Sequence, residues 1–165
     1  MITVTLFSSN NFFSKIIQWF LGSKIGHSAI GFQMDGRQYF IHAEWAGVQI
    51  TPREVVLATH TIVAEFSVIP DIQGEVILAQ QRVGQSYDLL TLFGYLPVLL
   101  GRKFGIGVNN PLTSKSAEVC SQFVIEVDTN HLIHEFDGLD PADITPPDLY
   151  RICKSGSSFK QIAGS

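Results

Sequence analysis

Cys120 is the side chain of this sequence best suited to covalent chemistry. It lies within residues 116–125, whose pattern predicts a helix that begins near Ser116, with Phe123 and Val127 on its apolar face. The N-terminus of a helix lowers the pKa of a thiol, so this position predicts a thiolate near neutral pH. The alternative is a small buried core residue, which is what most free cysteines are. A nucleophilic cysteine also needs a base that is held by a third group.

Five histidines could supply that base: His27, His42, His60, His131 and His134. The dipeptide Asp35-Gly36 predicts a two-residue hairpin, and pairing about it sets His27 opposite Glu44 and diagonal to His42. Because side chains alternate along a strand, these three residues share one face. A histidine beside a second polar side chain is the base and orienting group of a catalytic triad.

The surroundings of this histidine pair leave two interpretations. The small residues Ala29 and Gly31 lie on the same face and are expected to leave room beside His27. The alternative is that His27 is an ordinary strand-edge histidine and Glu44 a solvated charge. The pairing on one face and a cysteine near a helix start favour the catalytic interpretation.

The remaining histidines predict no further site. His131 and His134 are three residues apart, a spacing that could place both on one helix face for a metal. No third ligand follows nearby, so the sequence predicts no metal and no cofactor. His60 stands between two threonines and is predicted to be exposed.

The elements that would position these residues predict an α+β fold. Strand patterns alternate with helical ones, and a stretch rich in glycine, asparagine and proline precedes the Cys120 helix. Strands are predicted at residues 2–7, 27–34, 38–45, 47–50 and 61–68, and helices at 12–22, 71–83 and from 116. A short terminal element covers 148–153, and the Ser/Gly-rich residues 154–165 are predicted to be a flexible tail.

Length, charge and cysteine content indicate the number of domains, the type of partner and the cellular compartment. The 165 residues suit one domain, and a net charge of -4 argues against nucleic acid as a partner. Two cysteines form no disulfide framework, which fits a reducing compartment. The start lacks a signal-peptide pattern, and the longest apolar run, residues 89–100, is too short to span a bilayer. We therefore expect a protein that is cytoplasmic at synthesis, without an integral membrane segment.

The order of five short motifs carries a family resemblance. The motifs occupy residues 23–31 (SKIGHSAIG), 39–43 (YFIHA), 84–88 (GQSYD), 119–124 (VCSQFV) and 145–149 (TPPDL). In this order they resemble the circularly permuted NlpC-like family of papain-fold cysteine hydrolases, in particular its YiiX/YaeF-like branch. They are more distantly similar to lecithin:retinol acyltransferase-type enzymes. The loop at 102–110 has no clear counterpart there, and we expect no attached cell-wall-binding domain.

The resemblance implies a fold and a set of roles. The fold would be a permuted papain-like domain over residues 1–153, an antiparallel sheet packed against helices with the nucleophile at a helix N-terminus. Cys120 would be the nucleophile and His27 its base. The third member would be His42, or alternatively Glu44, which simple hairpin pairing sets more directly opposite His27. Tyr87 would line the site or help hold an oxyanion, with core packing as its alternative role.

These roles imply a cysteine hydrolase that works through an acyl-enzyme. The leading substrate is a peptide amide in bacterial peptidoglycan, reached by delivery to the cell wall or on a phage particle. A lipid or other acyl ester, with hydrolysis or acyl transfer, is the second substrate class. A non-catalytic module that binds a partner through the same cleft is the alternative from another class of function.

Overall fold

The computed structural model describes residues 1–9, 15, 18–19, 22–44, 47–85 and 120–164. Their framework is one six-stranded antiparallel sheet with the spatial order β4-β3-β2-β1-β5-β6. The strands are β1 (Thr3–Ser9), β2 (His27–Met34), β3 (Arg37–Glu44), β4 (Gly47–Pro52), β5 (His60–Val68) and β6 (Phe159–Gly164). The predicted α+β class with an antiparallel sheet is confirmed.

The structure gives the bounds of four α-helices among the described residues, and residues 15, 18 and 19 are also helical. The four helices are α1 (Arg53–Leu57), α2 (Gln73–Gln80), α3 (Cys120–Glu126) and α4 (Pro146–Ser155), with 3-10 turns at His134–Phe136 and Pro141–Asp143. Helix α4 begins with a capping box, in which Thr145 and Asp148 each satisfy the other's free backbone amide. None of the described helices is long and apolar enough to cross a membrane. The predicted helix at 12–22 (apart from residues 15, 18, 19 and 22), Tyr87 and the segments 89–100 and 102–110 lie outside the described residues.

Buried apolar residues lie on both faces of the sheet. On one face, Phe123 of α3 packs into the larger core together with Ile30 and Ile41. The neighbouring strand positions Ala29 and Phe40 point the other way and join a second, smaller cluster. His27 and His42 alternate in phase with this second cluster, so the histidine face of the sheet is the one away from α3.

The hairpin between β2 and β3 follows its predicted register. Asp35 and Gly36 have φ angles of 50° and 76°, which is the left-handed conformation that a type I′ turn requires at both central positions. The ladder then runs from Met34 opposite Arg37 to Ile30 opposite Ile41. The hydrophobic alternation and the turn agree on one register, so the histidines fall on the predicted face.

The prediction of a flexible tail over residues 154–165 is wrong for most of its length. Residues Phe159–Gly164 form β6, which pairs with β5 through Val68 opposite Phe159. The Phe159 ring is buried and lies 5.8 Å from the Phe136 ring. The Ser/Gly count hid this strand because its partner lies far back in the chain, where no local pattern could indicate it.

An ion pair between Arg53 of α1 and Glu65 of β5 lies on the same face of the sheet as the histidines. The guanidinium of Arg53 donates to both carboxylate oxygens of Glu65, at 2.6 and 2.8 Å, while the hydroxyls of Thr3 and Thr5 donate to the same carboxylate. A Cβ at Gly31 would lie 2.3 Å from Oγ1 of Thr3. The expectation that Gly31 leaves room beside the histidines is therefore wrong, because the Thr3 side chain of β1 fills that space.

Candidate functional site

Two buried histidines form the centre of the candidate site. His27 begins β2 and His42 lies near the end of β3, with exposed fractions of 8% and 1%. Nε2 of His27 lies 3.0 Å from Nδ1 of His42, at hydrogen-bond distance, and the two rings meet edge to face at 67°. The hairpin register of β2 and β3 places both rings on one face of the sheet.

Two further side chains hold His42 in place. Its Nε2 lies 3.1 Å from the Thr51 hydroxyl of β4, and its Nδ1 lies 3.4 Å from Oε1 of Glu44. Of the two candidates for the third position of a triad, His42 is the one hydrogen-bonded to His27, and Glu44 stands against His42. Thr51 was missed by sequence reasoning. The pairing of β3 with β4 could have indicated it, because His42 lies opposite Gln49 and Thr51 is on the same face two residues further along.

His60 is a third histidine of this site, and the prediction that it is exposed is wrong. It is half-buried, with its ring centroid 5.4 Å from that of His27 and 5.8 Å from that of Phe7. Its Nδ1 lies 2.9 Å from the Thr59 hydroxyl and 3.3 Å from the Val56 carbonyl oxygen. The position follows from the pairing of β5 with β1, a long-range contact that the flanking threonines do not reveal.

The electrostatics of the cluster keep both central histidines neutral near pH 7. Burial lowers the pKa of His27 well below its ordinary value, and the nearby His42 and His60 lower it further. Burial likewise lowers the pKa of His42 to about 4, with His60 adding to the effect. A neutral imidazole has one free lone pair, so such a pair can accept a proton or bind a metal.

Cys120 is the first described residue of α3 and is buried. Burial raises the pKa of its thiol, although hydrogen bonds from the side chain and backbone of Ser28 act in the opposite direction. The predicted lowering of this pKa is therefore wrong. Loss of hydration outweighs the helix and hydrogen-bond effects, and the thiol is protonated at neutral pH.

Ser28, the residue after His27, is the point of contact between Cys120 and the histidine strand. Its hydroxyl is buried next to the thiol, yet Oγ has no partner with normal hydrogen-bond geometry among the described residues. Within that same set of residues, no hydrogen bond joins the Cys120 thiol to either ring of the His27–His42 pair. The structure thus brings His27, His42 and Glu44 into contact. It sets Cys120 against Ser28, whose side chain points to the opposite face of β2 from that of His27.

Three side chains of the site could together bind a metal ion. His27, His42 and Glu44 offer one ligand atom each, and these three atoms lie within 4.8 Å of one another. His131 and His134 form no such group in the described ranges. His131 faces Asp137 at 3.2 Å, and the ring of His134 contacts Ser157 and Ser158.

Comparison with known proteins identifies the class of fold. No family model matches the chain, and no curated protein does. An antiparallel α+β fold of this kind does occur among solved structures. The chain is similar to the crystal structure of the metalloprotein yiiX from Escherichia coli O157:H7, with a TM-score of 0.60 and 16% sequence identity over 99% of this chain and 96% of that chain. The yiiX-like fold expected from the order of the motifs is confirmed, and at this identity the likeness concerns the fold alone.

Proposed function

We propose that this protein is a cysteine hydrolase in which Cys120 attacks an acyl carbonyl and His27 takes the thiol proton. The observation that carries the proposal is the 3.0 Å contact between Nε2 of His27 and Nδ1 of His42. That contact orients a buried neutral base in the strand whose next residue, Ser28, touches the thiol. Base, orienting group and nucleophile are the three parts that such chemistry needs.

The protonation states favour general-base catalysis over a resting ion pair. The Cys120 thiol has a raised pKa and His27 a lowered one, so the proton stays on sulfur until the substrate is attacked. Since Nε2 of His27 faces His42, Nδ1 is the nitrogen left to accept the proton. Ser28 and His27 point to opposite faces of β2, so the thiol would have to move around the end of this strand, where His27 is the first residue, to reach that nitrogen as it attacks the carbonyl. The imidazolium that forms is stabilised by His42, which has the Glu44 carboxylate at 3.4 Å.

The acyl-enzyme forms when the protonated His27 gives its proton to the leaving amine or alcohol. Water then attacks the acyl-enzyme, and His27 accepts a proton from that water. The backbone amide of Cys120 and a neighbouring donor would hold the oxyanion. The thiol leaves as the product acid forms, and the site returns to its starting state.

The substrate class rests on the motif resemblance. We infer a peptide amide in bacterial peptidoglycan, with the protein delivered to the cell wall or carried on a phage particle. The apolar sequence of residues 89–100 favours an acyl ester as the second candidate substrate, because such a segment suits an acyl chain.

A product analysis with matched cysteine variants tests the proposal. The protein, Cys120→Ala and Cys153→Ala are each incubated with purified peptidoglycan and with phosphatidylcholine vesicles, and products and intact protein are examined by mass spectrometry. We expect new products and an acyl adduct with the native chain and Cys153→Ala, and neither with Cys120→Ala. Product release by Cys120→Ala overturns the hydrolase proposal. Absence of products and adducts in all three proteins favours the partner-binding module.

A further inference from the structure

The His27–His42–Glu44 group has the dimensions of a metal site. Nδ1 of His42 lies 3.0 Å from Nε2 of His27 and 3.4 Å from Oε1 of Glu44, and the third separation is within 4.8 Å. Ligand atoms bound tetrahedrally to zinc at about 2.0–2.1 Å stand roughly 3.3 Å apart. The three atoms therefore need only small shifts to surround one ion.

The residues and strands around these three ligands also suit a metal site. The Thr51 hydroxyl lies 3.1 Å from Nε2 of His42. When Nε2 donates its proton to this hydroxyl, the lone pair of Nδ1 faces the other two ligands. Both histidines sit on the paired strands of one hairpin, so the rings are held by rigid backbone. Glu44 is 37% exposed at its side chain, which gives an ion a path from solvent.

We propose that Nε2 of His27, Nδ1 of His42 and a carboxylate oxygen of Glu44 bind one divalent transition-metal cation of the Zn²⁺ class. Two imidazoles and one carboxylate suit zinc or a similar borderline metal, whereas Ca²⁺ and Mg²⁺ prefer oxygen ligands alone. Three protein ligands leave a fourth position for water.

Metal binding and the base role of His27 exclude each other; this part of the inference rests on the proposed function, whereas the metal site itself does not. The ion takes the two nitrogens that form the His27–His42 contact. A neutral imidazole bound to metal through Nε2 carries its proton on Nδ1. Nδ1 then donates rather than accepts, and His27 cannot take the Cys120 proton. Metal occupancy would switch the hydrolase off.

The metal site is tested first, in a background that lacks the thiol. Untagged, metal-free Cys120→Ala protein is titrated with ZnCl₂ by calorimetry and with CoCl₂ by visible absorption. We expect one equivalent of Zn²⁺ to bind and the Co²⁺ spectrum to be that of a four- or five-coordinate ion. Adding Glu44→Gln should weaken Zn²⁺ binding at least tenfold, and Thr51→Val by roughly 10–100-fold, the usual cost of losing a ligand's outer partner.

A matched control uses the exposed histidines. His131→Asn with His134→Asn removes two imidazoles outside the proposed site and should leave Zn²⁺ affinity unchanged. No Zn²⁺ binding, equal binding in Glu44→Gln, or loss of binding in the His131/His134 variant overturns the site. Circular dichroism of each variant separates loss of ligand from loss of fold.

The regulatory part is tested with the native cysteine. Acyl-enzyme formation is followed in metal-free protein with increasing ZnCl₂, and each variant is compared with its own metal-free rate. Inhibition should require at least tenfold more Zn²⁺ in Glu44→Gln than in the native chain, and equal sensitivity overturns the switch. If the Cys120→Ala protein binds Zn²⁺ but metal-free native protein forms no acyl-enzyme, the hydrolase proposal fails while the metal site stands.

Discussion

Nε2 of His27 and Nδ1 of His42 lie 3.0 Å apart on one face of the sheet. They belong to two neighbouring strands that are joined by a two-residue turn. This one contact decides which nitrogen of each ring is available for other partners. It leaves Nε2 of His42 for Thr51 and leaves Nδ1 of His27 for the proposed proton transfer. The chemistry of the site therefore depends on hydrogen bonds that originate in the backbone register of a hairpin.

Replacing His42 should slow acylation without unfolding the protein. His42→Leu keeps an apolar side chain in the buried space but removes the partner of Nε2 of His27. We expect the rate of acyl-enzyme formation to fall on the order of 100-fold, as when a base loses its orienting group. His42→Asn can still accept a hydrogen bond and should retain part of the rate. The measurement is single-turnover acylation, and equal rates in both variants would contradict an orienting role.

The raised pKa of Cys120 predicts slow alkylation in acid. Because burial disfavours the thiolate, labelling by iodoacetamide should be slow at pH 6 and should still increase above pH 8. Cys153 is an internal comparison, since burial raises its pKa as well and its side chain lies in the core. Peptide mass spectrometry reads both sites in one sample. A labelling rate for Cys120 that levels off below neutral pH would instead indicate a thiolate–imidazolium pair.

The buried neutral histidines predict a loss of stability in acid. The pKa of His42 falls from 6.5 unfolded to about 4 folded, so the unfolded chain binds more protons between these values and stability decreases as the pH drops through that window. A difference of about 2.5 units corresponds to about 3 kcal/mol at 1.36 kcal/mol per unit. Urea unfolding at intervals from pH 7 to pH 4 measures this loss. His42→Asn should show a shallower decrease over the same range, and an unchanged slope would assign the effect to other groups.

The close approach of β1 to β2 predicts a costly substitution at Gly31. A Cβ there would lie 2.3 Å from Oγ1 of Thr3 and 3.2 Å from the Phe40 ring, so these side chains or the strands that carry them must shift. We expect Gly31→Ala to lower the free energy of unfolding by roughly 1–3 kcal/mol. Gly74→Ala in α2 is the matched control, because no atom lies within 4 Å of its Cβ position and alanine favours a helix by up to about 1 kcal/mol. Equal stability of the two variants would contradict the packing argument.

The parts of the site that the sequence predicted are those set by neighbours along the chain. Asp35-Gly36 determines the turn, the turn determines the register, and His27 then meets His42. His60 and β6 were missed because they are positioned by pairing with β1 and β5, which is not encoded in any local pattern. The pKa of Cys120 was mispredicted for a related reason. The helix effect is local, whereas the burial that overrides it depends on the assembled core.

The strand order also has a consequence for how the molecule is made. Strands β2, β3 and β4 follow one another through short turns, so the hairpins that carry His42 and Glu44 can pair as soon as residue 52 has left the ribosome. The outer edge of β5 is covered only when β6 has been synthesised and Phe159 pairs with Val68. During synthesis that edge is an open template for other chains. We expect nascent protein stalled before β6 to aggregate through β5 even though its histidine hairpin is already formed.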